Sequence, residues 1–413
     1  MTGYADARRI EALIEGLDRC TATPGQGTTR LTYSREYRAA ADLLIARMTD
    51  AGLAVREDAV GTVFGRLQGL DPDLPPILAG SHLDSVPHGG RFDGPAGIVA
   101  ALEAACLFRD LGLRPQRSIE VVALIEEEGT RFGGGLFGSR LLTGQVDPAD
   151  LEAIRDDDGV SAADAMRGYG LDPALAGQAA LAPGSVHAFL ELHIEQGPVL
   201  EADRLDVAIV DRIVGLAQLR VTVRGRAGHA GTVPMDQRRD ALQGAVAILA
   251  QLPDLARQTG PDAVLTVGKL EVLPGGANVI PDRVTFTVDL RAPEEAAVLR
   301  LIQMVEGCVT HAQGNGLDCA VERQLHAAPT PLSEQLRAVL TDQAEDLGLS
   351  HRVMVSGAGH DAMIMAGLAP TGLVFVPSRG GLSHTPEEWT DYAQLARGAD
   401  LIFAALRRLS GAA

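Results

Sequence analysis

His82 and Asp93 stand ten intervening residues apart in the run Ser81-His-Leu-Asp-Ser-Val-Pro-His-Gly-Gly-Arg-Phe-Asp-Gly-Pro. A neutral imidazole and a carboxylate at the end of an apolar run suit a borderline divalent metal. Three further segments repeat the arrangement. Glu126-Glu127-Glu128-Gly ends the apolar run Ile119 to Ile125, His193 ends Phe189-Leu-Glu-Leu-His, and His384 sits in Gly380-Gly-Leu-Ser-His-Thr-Pro. Open α/β sheets place their sites at the ends of such buried strands.

Two divalent ions about 3.5–4 Å apart need a bridging ligand, terminal ligands and a position open to water. Asp93 suits the bridge because a carboxylate has two oxygens to share. His82 and His193 could complete one ion, and Glu128 and His384 the other. Asp84 could accept the second imidazole N–H of His82 and fix its tautomer. Neighbours at an extended strand end point to opposite sides. Glu127 is therefore assigned as general base, Glu128 as ligand and Glu126 as structural. Any one histidine alone could be a hydrogen-bonded turn residue, but five suitable donors at strand ends are poorly explained that way. Such ligands accept Zn, Mn, Co or Ni. His88, His187, His311, His326 and His351 lack a ligand-like context and are read as structural.

These donors need a scaffold, and the first half of the chain alternates strand-like with helix-like runs. Helical periodicity spans Glu36 to Gly52, and strands are expected at Val63–Leu67, Pro76–Ala79 and Ile119–Ile125. Asp93-Gly-Pro95 opens a helix to about Gly112, with proline where the first turn tolerates it. Residues 145–180 read as short helices or an exposed insertion. The pattern changes near Val210. Strand Leu219–Val223, helix Asp240–Leu252, strands Val264–Val272 and Arg283–Leu290, helix Pro293–Thr310 and strand Leu317–Arg323 follow in βαββαβ order. After Ala327 come helix Ser333–Leu347, strand Gly372–Val376 and a final helix to about Leu409. The expected fold is α/β. A discontinuous catalytic domain with a mixed sheet and flanking helices (1–212 and 328–413) is interrupted by an inserted α+β domain (213–327).

At 413 residues with 46% apolar content the chain has ample core. A formal charge of −18 disfavours nucleic acid and anionic membrane as partners. The four cysteines are widely spaced without Cys-x-x-Cys, which argues against a thiolate zinc knuckle and fits reduced thiols. The N-terminus lacks the apolar core of a secretory signal and no run of eighteen apolar residues exists, so a cytoplasmic enzyme is expected.

The motifs resemble the hydantoinase/carbamoylase-type amidases of the M20 metallopeptidase superfamily. This branch includes N-carbamoyl-L-amino-acid hydrolases, allantoate amidohydrolases and β-ureidopropionases. Gly80-Ser-His-Leu-Asp-Ser-Val-Pro resembles the superfamily's first metal motif. The short gap from His82 to Asp93, and His193 in Glu191-Leu-His-Ile-Glu-Gln-Gly-Pro, select the carbamoylase branch. Glu127-Glu-Gly-Thr-Arg-Phe, Gly228-His-Ala-Gly-Thr-Val-Pro-Met and Ser356-Gly-Ala-Gly-His-Asp-Ala add further matches. The resemblance implies two divalent metal ions and a homodimer paired through the inserted domain, which acts as a lid. It implies that His229 reaches the partner's site and stabilises the oxyanion, and that Asn278 hydrogen-bonds substrate. It also implies that Arg291 clamps the substrate carboxylate, that Gln196 and His360 line the ureido side, and that Gly359 binds substrate. A guanidinium suits a carboxylate better than an ammonium does. Plainer roles stay open: Arg291 as a surface ion-pair partner, His229 as a turn residue, Asn278 as a turn cap, Gln196 as a loop hydrogen bonder and His360 as a helix start.

The expected activity is hydrolysis of the ureido C–N bond of an N-carbamoyl-L-amino acid to the amino acid, carbon dioxide and ammonia. Allantoate is the alternative substrate. An M20 aminoacylase or dipeptidase, or a non-catalytic metal-stabilised dimeric binding protein, are the remaining readings.

Overall fold

The computed structural model describes residues 3–314 and 316–412. The chain opens with α1 (Ala7–Asp18), α2 (Arg35–Asp50), β1 (Ala54–Glu57), β2 (Val63–Leu67), β3 (Ile77–His82), α3 (Pro95–Asp110) and β4 (Ile119–Leu124). Then come α4 (Phe137–Leu142), α5 (Ala162–Tyr169), β5 (Ala188–Ile194), α6 (Val199–Asp203) and β6 (Val207–Ile213). Short polar side chains start the helices as their chemistry dictates: Asp6 accepts the Arg8 N–H before α1, and Ser34 accepts the Tyr37 N–H before α2.

The next stretch comprises β7 (Gly215–Arg224), β8 (Gly228–His229), α7 (Ala241–Leu249), α8 (Leu252–Thr259), β9 (Val264–Thr266), β10 (Leu270–Leu273), β11 (Val279–Ile280), β12 (Arg283–Ala292), α9 (Glu295–Gly314) and β13 (Asp318–Ala327). The chain ends with β14 (Thr330–Pro331), α10 (Glu334–Leu347), β15 (His351–Ser356), α11 (Asp361–Met365), β16 (Thr371–Val376) and α12 (Tyr392–Ser410).

Two compact units result. One holds residues 1–211, 331–354 and 359–413; the other holds 212–330 and 355–358. The first is built on a nine-stranded mixed sheet in the order β1-β2-β4-β3-β5-β16-β6-β14, with β15 also pairing β6. Every residue of β3, β4, β5 and β16 is buried, as in a sheet covered on both faces. α3 packs on β3, β4 and β5, and α12 packs on α3, β5 and β16. The second unit has an antiparallel sheet in the order β10-β12-β7-β13, with β9 also on β12. Side chains of β12 alternate between buried and more exposed, so one face carries the core against α7, α8 and α9.

Two local expectations change, and a third, short helices or an exposed insertion over 145–180, resolves to short helices. The helix expected over Asp240–Leu252 is two helices, because Pro253 lacks an N–H and starts a new helix rather than continuing the old one. The strand expected over Val264–Val272 is two short strands, β9 and β10, pairing with separate stretches of β12. Residues 145–180 hold α5 and two 3₁₀ turns, and they are packed rather than simply exposed: Leu151, Ala162, Met166 and Ala176 are buried. Among the described residues no helix is long and apolar enough to cross a membrane.

Phe286 is fully buried at the centre of the second unit's core. Phe286→Ala is expected to cost that unit about 3–5 kcal/mol, read as a lower urea midpoint for its transition. Unchanged unfolding would show that this side chain does not anchor the core.

Candidate active site

β4, β3, β5 and β16 lie side by side and run parallel, so their C-terminal ends open along one sheet edge. His82 is the last residue of β3, Glu127 and Glu128 follow β4, His193 sits near the end of β5, and His384 follows β16. Asp93 joins them from the loop that leads into α3. Gly94, at φ +81, makes that approach possible. A Cβ there would lie 2.5 Å from the His82 carbonyl oxygen and 2.6 Å from its ring.

Asp93 is the hub. Its Oδ1 lies 3.1 Å from His193 Nε2 and 3.6 Å from His82 Nε2. Its Oδ2 lies 3.2 Å from His384 Nε2, which is itself 3.5 Å from Glu128 Oε2. Glu127 Oε2 is 3.8 Å from His82 Nε2. Among the described residues three donor groups are thus compact enough to hold an ion: His82–Asp93–His193, His82–Glu127–Glu128 and Asp93–Glu128–His384.

The imidazoles are oriented for ligation. His82 Nδ1 faces the Asp84 carbonyl at 3.1 Å and His193 Nδ1 faces the Ile194 carbonyl at 2.9 Å. A carbonyl only accepts, so Nδ1 carries the proton and the Nε2 lone pair faces Asp93. The sequence reading gave the Asp84 carboxylate to His82. In the structure that carboxylate stands 3.7 Å from Nδ1, beyond hydrogen-bond reach. Its oxygens accept the main-chain N–H groups of Glu127 at 3.1 Å and Glu128 at 3.2 Å, fixing the acidic strand end instead. Glu126 is fully buried, and one of its oxygens accepts the N–H groups of Arg131 and Phe132, each at 2.8 Å. Glu126, Gln196 and His384 all hold left-handed φ values of 50–57°. Such backbone strain in non-glycine residues gathers at functional sites.

The charge balance fits a cation. Burial pushes the Glu127 carboxyl well above its usual range, and burial with nearby Asp93 raises Glu128 to about 7. Burial would raise Asp93 as well, yet contacts from His193, His384 and His82 hold it well below the usual carboxylate range. The hydrogen bond to Asp93 raises His384 to about 9. The crowded carboxylates thus shift one another and the neighbouring imidazole of His384 in the direction that a cation among them would relieve. Glu128 Oε1 is buried with no hydrogen-bond partner among the described residues. Divalent cations are the natural complement of this set of imidazole and carboxylate donors.

Gln196 reaches the hub rather than open space: its Nε2 donates to Asp93 Oδ2 at 2.9 Å and to Ser383 Oγ at 3.2 Å. The His360 ring centroid lies 4.5 Å from that of His193, and burial together with His193 holds His360 well below the ordinary imidazole range. A Cβ on Gly359 would meet open space.

His229, Asn278 and Arg291 belong to the second unit. β8 pairs with β11, setting His229 opposite Val279, and Ala230 N–H donates to the Asn278 carbonyl at 3.0 Å. Gly231 N–H donates to His229 Nδ1 at 3.0 Å. The neutral ring must then carry its proton on Nε2, as an exposed donor. Arg291 is held by Asp289 at 2.8 Å and by the Gly357 carbonyl at 2.8 Å. The five histidines read as structural join none of the donor groups.

Sequence reading missed Glu191, Ser383 and Glu388. Glu191 is buried, accepting Ser81 Oγ at 2.7 Å and the Ala362 N–H at 2.8 Å. Its position two residues before His193 on one strand was a usable signal. Nothing in the run His384-Thr-Pro-Glu-Glu tells which glutamate turns inward.

Comparison with known proteins shows the family. Residues 78–408 match the peptidase family M20/M25/M40. The chain is 43% identical over 406 residues to an N-carbamoyl-L-amino-acid amidohydrolase of Paenarthrobacter aurescens, covering 98% of each chain. It is 38% identical over 405 residues to an allantoate amidohydrolase of Escherichia coli, covering 97% of each. A solved hydantoinase/carbamoylase family amidase from Burkholderia multivorans superposes with a TM-score of 0.92 at 34% identity, covering 98% of each chain. Sequence, fold and the cluster at the sheet edge agree, and the chain belongs to the hydantoinase/carbamoylase-type amidases of the M20 peptidase family.

Proposed function

We propose that the chain is a binuclear amidohydrolase that cleaves the ureido C–N bond of an N-carbamoyl-L-amino acid. The observation that carries the binuclear reading is the division of Asp93: Oδ1 faces His82 and His193, while Oδ2 faces His384 beside Glu128. Those five residues would hold two divalent ions of the Zn, Mn, Co or Ni type. Bound ions would acidify water and polarise the ureido carbonyl. Glu127 Oε2 takes the proton from water as it attacks the ureido carbon, then delivers it to the departing amino-acid nitrogen. The released carbamate breaks down to carbon dioxide and ammonia. Allantoate is the second reading, since it also sets a ureido nitrogen beside a carboxylate and 38% identity links the chain to an allantoate amidohydrolase.

Gln196 and His360 are assigned to the ureido side, Gly359 to substrate binding, Asn278 to a substrate hydrogen bond and Arg291 to the carboxylate. Arg291 would exchange its Asp289 partner for substrate. His229 donates from Nε2 to the developing oxyanion. We read residues 213–327 as an inserted dimerisation and lid domain between catalytic segments 1–212 and 328–413. The protein would be a cytoplasmic homodimer in which His229 completes the partner's site; its four free cysteines suit that compartment.

Glu127→Gln is expected to keep its metal content and lose about 10²–10⁴-fold in kcat; near-normal turnover would refute the base assignment. Chelation should abolish ammonia release and added metal restore it. A panel of N-carbamoyl-L-amino acids, their D forms, N-carbamoyl-β-alanine and allantoate identifies the substrate, and preference for allantoate would replace the first choice. Mixing Glu127→Gln with His229→Asn subunits should regain activity if His229 acts across the dimer. Mixtures as inactive as either parent would place His229 in its own subunit's site.

A further inference from the structure

Asp93 can serve two ions only if its carboxylate is fixed from behind, and Glu388 stands in position to do this. We propose that Glu388 is a positioning residue that locks Asp93 in its bridging pose and ties it to the His384 loop. The inference rests on the binuclear reading. Glu388 is 2% exposed. Its Oε1 accepts the main-chain N–H of Phe92 at 2.9 Å and of Asp93 itself at 3.1 Å. Its Oε2 meets Ser383 Oγ at 2.8 Å. Ser383 Oγ in turn lies 3.0 Å from Asp93 Oδ2 and precedes His384 in sequence.

One carboxylate therefore grips the main chain of Asp93, and the Ser383 hydroxyl, with one proton to give, stands between Glu388 Oε2 and the Asp93 oxygen that faces His384. The approach depends on Gly90, where a Cβ would come 2.0 Å from Glu388 Oε1. The contacts select one side of the cluster. Ser383 precedes His384 and adjoins the Asp93–Glu128–His384 group, its hydroxyl meeting Asp93 at Oδ2, the oxygen that faces His384, rather than at Oδ1, which faces His82 and His193. Loss of Glu388 should thus fall hardest on the ion held by Asp93, Glu128 and His384. Groups that orient a metal ligand from behind typically contribute about 10–100-fold in metal affinity.

The test is metal binding without substrate, by equilibrium dialysis with Co(II) and by the Co(II) visible spectrum, on wild type, Glu388→Ala, Glu388→Gln and Ser383→Ala. Glu388→Ala is expected to weaken one of two ions by about 10-fold or more and to change the spectrum of that ion. Glu388→Gln should recover most of the affinity, because the amide keeps an oxygen for the two N–H groups and an NH₂ for Ser383 Oγ. A residue that merely stabilises the fold would lower the unfolding midpoint and leave both affinities intact, which overturns the proposal. Glu388→Gln as weak as Glu388→Ala overturns it too. Should Glu388→Ala not fold, Ser383→Ala decides: one weakened ion supports the link and wild-type affinity for both removes it. Uptake of one ion by wild type would overturn the binuclear reading instead. Glu388 is then judged on that ion, which equal affinity in wild type and Glu388→Ala would detach from it.

Discussion

One carboxylate facing two ways organises this molecule. Asp93 sends Oδ1 toward His82 and His193 and Oδ2 toward His384, within hydrogen-bonding or near-contact distances of each. A buried carboxylate so placed is costly unless its lone pairs are engaged. Here Gln196 and Ser383 engage Oδ2, while the imidazoles crowd both oxygens. Much of the surrounding structure reads as a means of keeping that geometry. Gly94 admits the loop against His82, and Glu388 takes the main-chain N–H groups at Phe92 and Asp93.

The sheet supplies the second condition. Four neighbouring parallel strands end together, so residues far apart in sequence arrive at one edge without long excursions. The same edge concentrates negative charge. Glu126, Glu127 and Glu128 divide after β4 because the chain turns sharply there, with Glu126 at φ 50°. Glu126 folds back on the Arg131–Phe132 main chain, while the next two carboxylates point toward the imidazoles. Asp84 then ties that end down by its own two oxygens.

The second unit obeys different rules. Its antiparallel sheet buries one face under α7, α8 and α9 and forms its own core around Phe286 and Val288. A small β8–β11 ladder places His229 opposite Val279, next to Asn278. Glycine-rich flanks let the Gly231 N–H reach the His229 ring, which settles the tautomer of an otherwise exposed histidine. Arg291, by contrast, is paired with Asp289 two residues earlier on the same strand.

Local chemistry made the donors legible in the sequence. Imidazoles and carboxylates at the ends of apolar runs pointed to His82, Asp93, Glu128, His193 and His384, whereas the period-two alternation expected to set Glu127 opposite Glu128 is replaced by a turn at Glu126 that sends both toward His82. The alternation of strands and helices likewise announced a mixed α/β sheet, since burial on both faces requires near-continuous apolar strands such as Ile119 to Leu124. Contacts between distant segments were not legible, because spacing along the chain carries no information about which loop meets which. Only the tertiary structure decided that the Asp84 carboxylate holds the Glu127–Glu128 main chain, that Gln196 meets Asp93, and that Glu388 rather than Glu387 turns inward behind it. Those choices depend on how loops from β3, β5 and β16 pack over one edge, where each buried polar atom must find a partner among the groups that packing delivers.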